Sequence, residues 1–399
     1  MKHKTTQWML AVCAAISLNA CSTAHDAGDK QAQNTRFGPA VEFDFPPAEA
    51  PDGIIQAVPM SSAPLDESQT LTRIVFASCA HQNEDQSIWD VIARESQDLT
   101  LYIGDNVYGD VRSNDPALPE LKAAYMRLAQ SEPFSRARAA APMLTVWDDH
   151  DYGLNDAGAD FEHRDASQAL FNYVWAVPEG DPRTQRPGVY NSWIIGSEEG
   201  KRVQIIMLDT RYFRSELLRS DEFGARGKER WLPDADPSKT MLGEAQWTWL
   251  EAELKKSADL RLVVSSIQVM SEGHGWEAWR EFPLEREKLY KIIDAAGADG
   301  VIVLSGDRHS GGFYERDDVI EYPLFEATSS SLNLPARGFM NPDEPVYMEP
   351  DPNRLTDMII DPNYGLIEID WQSGAVAISL RDGEGGIIEE RSISLGALQ

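Results

Sequence analysis

The 399 residues carry 65 acidic side chains against 36 basic ones, a formal net charge of −29. Such a field repels phosphate backbones, so no nucleic-acid partner is expected, and any anionic ligand needs a local positive site. Eleven tryptophans and 42% apolar residues can fill a sizeable core, and the length fits one large domain or two ordinary ones.

The chain opens with a basic "MKHK" and an apolar "WMLAVCAAISL", a run of signal-peptide length too short to span a bilayer. It ends in "LNAC", Leu18 to Cys21, which resembles a bacterial lipoprotein box. That resemblance implies cleavage after Ala20 and a lipid on Cys21, hence attachment to a membrane. Plain secretion with Cys21 incidental is the alternative. Ser22 rather than Asp follows the cysteine, which by analogy points to the outer membrane. The expected location is therefore an exported lipoprotein at the periplasmic face of the outer membrane or at the cell surface. Cys13 leaves with the leader and Cys21 takes the lipid, so Cys79 is the one thiol left and no intrachain disulfide forms. Residues 21–70 are rich in Ala, Pro, Asp, Gln and Ser and read as a flexible tether.

From Leu71 the pattern alternates between buried strands and helices. Strand-like runs are "LTRIVFAS", "DLTLYIG", "PMLTVWD", "RVQIIMLD", "LRLVVSS" and "DGVIVLSGD". Helical patterns lie near Asp85–Glu95, across Ala117–Arg138, and over Glu244–Lys256 and Leu284–Ala296. Short apolar runs joined by helices argue for an α/β sheet of parallel character. The final stretch from Tyr364 alternates and turns at "QSGA" and "DGEGG", the pattern of an antiparallel meander. No linker divides residues 71–399, which are read as one domain.

Chemistry-bearing residues follow these strands. Cys79 follows the first, Asp105 and Tyr108 the second, Asp149 and His150 the third. Asp209 and Arg211 follow the fourth, Gln268 the fifth, Asp307 and His309 the sixth. In open α/β sheets the functional crevice lies at the carboxyl ends of the strands. Any one of these residues reads most simply as a turn, a helix cap or a buried thiol. Six strand ends together argue for bound metal ions, whose charge would let the carboxylates of "WDDHD" coexist. Thiolate and phenolate suit a trivalent or borderline transition ion, and several carboxylates suit calcium.

The motifs "FASC", "GDNVY", "WDDHDYGLND", "LDTR" and "SGDRH", in this order, resemble those of the alkaline phosphatase D (PhoD-like) family of calcineurin-like metallophosphoesterases. The resemblance implies a central mixed β-sandwich flanked by helices in four αββα layers. It implies hydrolysis of phosphomonoesters or phosphodiesters by a metal-bound hydroxide, with Fe3+ and Ca2+ as cofactors. Cys79, Asp105, Tyr108 and His309 match the positions around iron; Asp105, Asp149 and Asp307 match the calcium side, with Asn155 a further ligand. By the same resemblance His150 contacts phosphate and protonates the leaving oxygen, and Arg211 holds the phosphate.

The implied partner is a small phosphoester, and the sequence leaves the ester's type and the oligomeric state open. Two other readings are a calcium-ordered surface lipoprotein without catalysis and a phospholipase-type phosphodiesterase. A metal-dependent nuclease fits the site but not the charge. Gln268 stands where the superfamily often has a metal-binding His. "HGWEAWREF" either lines the substrate mouth or packs as a capping helix; "EFGARGKERW" reads as a solvated loop more readily than a phosphate guide. Specificity is expected from loops 178–188, 216–236 and 274–282.

Overall fold

The computed structural model describes residues 56–223, 229–338 and 349–399. The leader, Cys21 and most of the expected tether lie outside the described residues. In chain order the strands are β1 Arg73–Ala77, β2 Leu99–Ile103, β3 Met143–Val146, β4 Asn191–Ile195, β5 Val203–Met207, β6 Leu218–Arg219 and β7 Trp231–Leu232. They continue with β8 Leu260–Val264, β9 Val301–Ser305, β10 Gly312–Arg316, β11 Leu324–Thr328, β12 Asn363–Asp370, β13 Ala375–Asp382 and β14 Ile387–Ser394. Two six-stranded sheets result, ordered β14-β13-β12-β1-β2-β3 and β10-β11-β9-β8-β5-β4, with β6 and β7 forming a small ribbon.

The second sheet has a parallel centre and antiparallel margins, while the first is parallel on its β3 side and antiparallel on the other. β1, β2 and β3 run parallel, as do β5, β8, β9 and β11. Every residue of β2, β5, β8, β9 and β11 is buried, and β2, β5, β8 and β9 are accordingly mostly apolar, whereas β11 buries Glu326 within it. The meander β12–β14 closes the first sheet, and its last strand is exposed along one side. Side chains from both sheets and from the helices belong to a single hydrophobic cluster. The mixed β-sandwich flanked by helices expected from the sequence is thus the fold.

Three local expectations change. Ala117–Arg138 is not one helix but two, Pro119–Ala129 and Glu132–Ala140. Ser131 caps the second through its Oγ, 3.4 Å from the Phe134 N–H, and Pro133 in the first turn has no N–H to continue the first. The helix expected over Asp85–Glu95 shortens to Ile88–Ile92, because Asp85 accepts the N–H and hydroxyl of Ser87, both at 2.9 Å, and holds a turn. The tether also ends earlier than residue 70. Met60 is buried and donates its N–H to the Val174 carbonyl at 2.6 Å, and the Glu67 carbonyl accepts from Gly196 at 2.8 Å. That anchoring runs mainly through backbone groups and leaves little apolar pattern to read.

Candidate metal centre

The strand ends of both sheets meet at one edge. Cys79 leaves β1, Asp105 leaves β2, and Asp307 and His309 leave β9. All four backbones are left-handed, with φ of 56°, 50°, 66° and 53°. Each such turn costs a side-chain-bearing residue about 1–3 kcal/mol, so the surrounding packing must enforce it. Gly104 supplies part of the room. Its φ is 114°, and a Cβ there would stand 2.8 Å from the Asp148 Cβ and 3.0 Å from that of Ser266. The loops after β1 and β2 are then tied together, Cys79 N–H to the Gly104 carbonyl at 3.2 Å and Ala80 N–H to that of Asp105 at 3.1 Å.

Asp105 lies at the middle. Its Oδ2 is 3.2 Å from the Tyr108 hydroxyl and 3.4 Å from the Cys79 Sγ. The same hydroxyl is 3.2 Å from His309 Nε2. His309 donates Nδ1–H to the Leu334 carbonyl, which orients the ring and makes Nε2 the basic nitrogen. Donor atoms of Cys79, Asp105 and His309 lie within 4.8 Å of one another, as do those of Asp105, Asp148, Asp149 and Asp307. Asp105, Asp149 and His150 form an overlapping set. Asp105, Asp149, His150, Asn155, Asp307 and His309 line one small cavity of about 30 Å³.

This cluster is electrostatically incomplete as a set of side chains. Burial, then Asp149 and Asp148, raise the Asp105 carboxyl well above the usual range; burial, then Asp148 and Asp149, do the same for Asp307. Burial and Asp105 push the Cys79 thiol up. Burial lowers His309 to about 4, a neutral imidazole suited to ligation. Asp105 Oδ1 and Asp148 Oδ2 are buried without a hydrogen-bond partner. Cations would relieve both defects, so these donors fit metal ions: thiol, phenol and imidazole on one side, carboxylates on the other.

The "WDDHD" segment divides its charges. Asp148 accepts from Arg211 Nε at 2.6 Å and from the Ser266 hydroxyl at 2.7 Å. Asp151 accepts from Asp148 N–H at 2.7 Å, Asp105 N–H at 3.2 Å and Asn106 Nδ2 at 2.6 Å, which pins the ends of β2 and β3 together. Asp149 turns into the cavity. Burial opposes its ionisation, yet His150, Arg211 and the Asp156 N–H hold it below the usual range. His150 Nδ1 is 3.0 Å from Asp110, whose other oxygen accepts the Asn155 N–H at 2.8 Å. Burial pulls His150 down, but Asp110 and Asp149 outweigh it and raise the ring to about 10. Metal charge would therefore answer only part of the crowding; an arginine and backbone N–H groups answer the rest.

Several residues stand elsewhere than the sequence reading set them. Arg211 does not line the cavity. It is fully buried, bound to Asp148 and, through Nη1 at 2.6 Å, to Glu277. A phosphate cannot reach a guanidinium so enclosed, and Arg308 and Arg230 line the cavity instead. Arg308 was readable inside "SGDRH". Arg230 belongs to the stretch read as a solvated loop, which that contact corrects for this residue; residues 224–228 of the stretch lie outside the described residues. Gln268 bonds His274 and Thr328, both at 2.9 Å, and joins none of the donor sets. Asp209 is consumed by Trp147 Nε1 and the N–H groups of Val189, Arg211 and Tyr212. "HGWEAWREF" splits: Trp276 and Glu277 line the cavity, while Trp279 is buried with its Nε1 on Ser265. Asp156, at the end of the third motif, also lines it and was missed.

A mixed sandwich of calcineurin-like fold brings buried acids, a thiol, a phenol and imidazoles to its strand ends as a candidate metal centre. The model of the PhoD-like phosphatase family matches residues 74–337, and the chain belongs to that family. It is 25% identical over 276 residues to alkaline phosphatase D of Bacillus subtilis (strain 168). That match covers 59% of this chain and 45% of the relative, so the chain spans less than half of the relative's length. A solved structure titled "Structure of PhoD" superposes with a TM-score of 0.62 at 17% identity, over 84% of this chain and 70% of that one, a likeness of fold.

Proposed function

We propose that this chain hydrolyses phosphate esters with bound metal ions. The observation that carries the reading is the convergence of Cys79, Asp105, Tyr108, Asp149, Asp307 and His309 on one buried cluster from distant strand ends. Cys79, Asp105, Tyr108 and His309 would hold iron(III); Asp105, Asp149 and Asp307 would hold calcium, with Asn155 at the margin. When bound, these cations supply Lewis-acid charge to the phosphoryl oxygens and raise the acidity of water.

The protein's own groups do the rest. Hydrolysis joins a water oxygen to phosphorus and breaks the ester P–O bond, and the departing oxygen needs a proton. His150 lines the cavity with Nδ1 held by Asp110, and it would donate that proton. Arg308 and Arg230 at the wall would hold the remaining phosphoryl charge. Arg211 would act through Asp148, keeping one acid out of the metal cluster's charge balance. A calcium-ordered binding protein is the weaker reading, since calcium has no use for the buried thiol.

Metal analysis of the purified full chain, with a panel of phosphomonoesters and phosphodiesters, tests the proposal. Asp105→Ala should lower bound metal and remove most turnover; wild-type turnover of an aryl phosphate by that variant refutes it. We also propose export and lipidation at Cys21, supported by the leader and "LNAC". Loss of membrane association in Cys21→Ala, with the lipid mass gone from the N-terminal peptide, is the expected result.

A further inference from the structure

The cavity at the acids, about 30 Å³, has room for only about two or three waters. The organic part of a phosphate ester therefore has to lie outside it. A second cavity of about 720 Å³ adjoins, in the size range of small-molecule sites, and Asn155, Asp156 and Arg230 line both.

The larger chamber pairs aromatic rings with arginine. Phe223 and Trp231 meet edge to face at 5.0 Å. The Arg219 guanidinium lies 4.3 Å from the Phe223 centroid and that of Arg230 5.1 Å from it. Arg230 is paired with Asp156 at 3.1 Å, and Arg214, also in the wall, with Glu277 at 2.9 Å. Arg219 is exposed, and no carboxylate among the described residues pairs with it. Asp160 and Glu216 line the chamber too, so its positive charge is local rather than general. In a chain of net charge −29, a cation seated on an aromatic pair beside the acid cluster is a specific feature.

We propose that this chamber binds the alcohol part of an extended phosphoester, one that bears a flat ring and a second anionic group. The ring packs against Phe223 and Trp231, and the second anion meets Arg219. The inference rests on the phosphoester reading and adds the half of the substrate that the small cavity cannot hold.

The test uses the metal-loaded full chain with adenosine 3′,5′-bisphosphate as the extended probe and phenyl phosphate as the short one. In Arg219→Ala and in Phe223→Ala, binding of the bisphosphate measured by calorimetry should weaken about tenfold. Selectivity for the bisphosphate over phenyl phosphate, read as the ratio of kcat/KM, should fall by a similar factor. No binding of the bisphosphate by the native chain overturns the chamber, as does binding untouched by both substitutions or equal losses for the two probes. Binding that depends on Arg219 in a protein that cleaves no ester leaves the chamber standing and removes the hydrolase reading.

Discussion

Replacing Arg211 by Met separates a support from a phosphate ligand. The Arg211, Asp148 and Glu277 side chains are 0%, 1% and 1% exposed. Arg211 makes 2.6 Å bonds to each acid, and removing it strands two carboxylates in a dry interior. Two lost charge-assisted hydrogen bonds, at about 1.5–3 kcal/mol each, bound the loss at about 3–6 kcal/mol. Breaking a buried ion pair from one side costs about 3–5 kcal/mol, which agrees. Arg214 still pairs with Glu277, and Ser266 still bonds Asp148, so the lower end applies, about 3 kcal/mol. Thermal unfolding of metal-stripped protein, followed by tryptophan fluorescence, should show a fall of roughly 5 °C or more. Stripping matters because bound ions add their own stabilisation by mass action. A variant that melts like the native protein yet loses phenyl phosphate affinity more than tenfold would refute this reasoning and return Arg211 to the substrate.

Tyr108→Phe should abolish the visible iron–phenolate absorbance of the metal-loaded chain while calcium content stays near native. An absorbance spectrum unchanged by that substitution would remove Tyr108 from the iron site. Glu281 is raised to about 8 by burial, which outweighs the pull of Arg280. A carboxyl raised in the fold contributes its full stability below its ordinary value of 4.5 and loses it as pH climbs to about 8, so the metal-free melting temperature should drop between about pH 5 and 8 and level off above. Glu281→Gln should flatten that drop, and an identical pH profile would discount the residue. Gly365→Ala would bring a Cβ to 2.0 Å from the Phe76 ring in the neighbouring strand, and a loss of about 1–3 kcal/mol in denaturant unfolding is expected.

The strands β1, β2, β3, β5, β8 and β9 and the residues after them could be read because a largely buried strand leaves a mostly apolar run. Its end is then marked by the first Cys or Asp, as at Cys79, Asp105 and Asp307. What Asp148 does could not be read. Its partner Arg211 is 63 residues away, and only the fold shows that the guanidinium is spent on it. Arg230 and Trp276 stood in stretches weighed as substrate-lining, but loops without periodicity do not show which of their residues face a cavity. The edge strand β4 escaped because three of its five residues are only partly buried, so its pattern is weak. The helix break at Ser131-Glu132-Pro133 was legible and was overrun by the apolar spacing on either side.

The left-handed turns at Cys79, Asp105, Asp307 and His309 bear on how the protein would load its ions. Their unfavourable backbone angles are held by the protein's own packing, around Gly104 and between the loops after β1 and β2. An incoming ion then meets donors already aimed, with little chain entropy left to surrender. Swapping one donor for another should alter which ion is preferred far more than it alters the shape of the cradle.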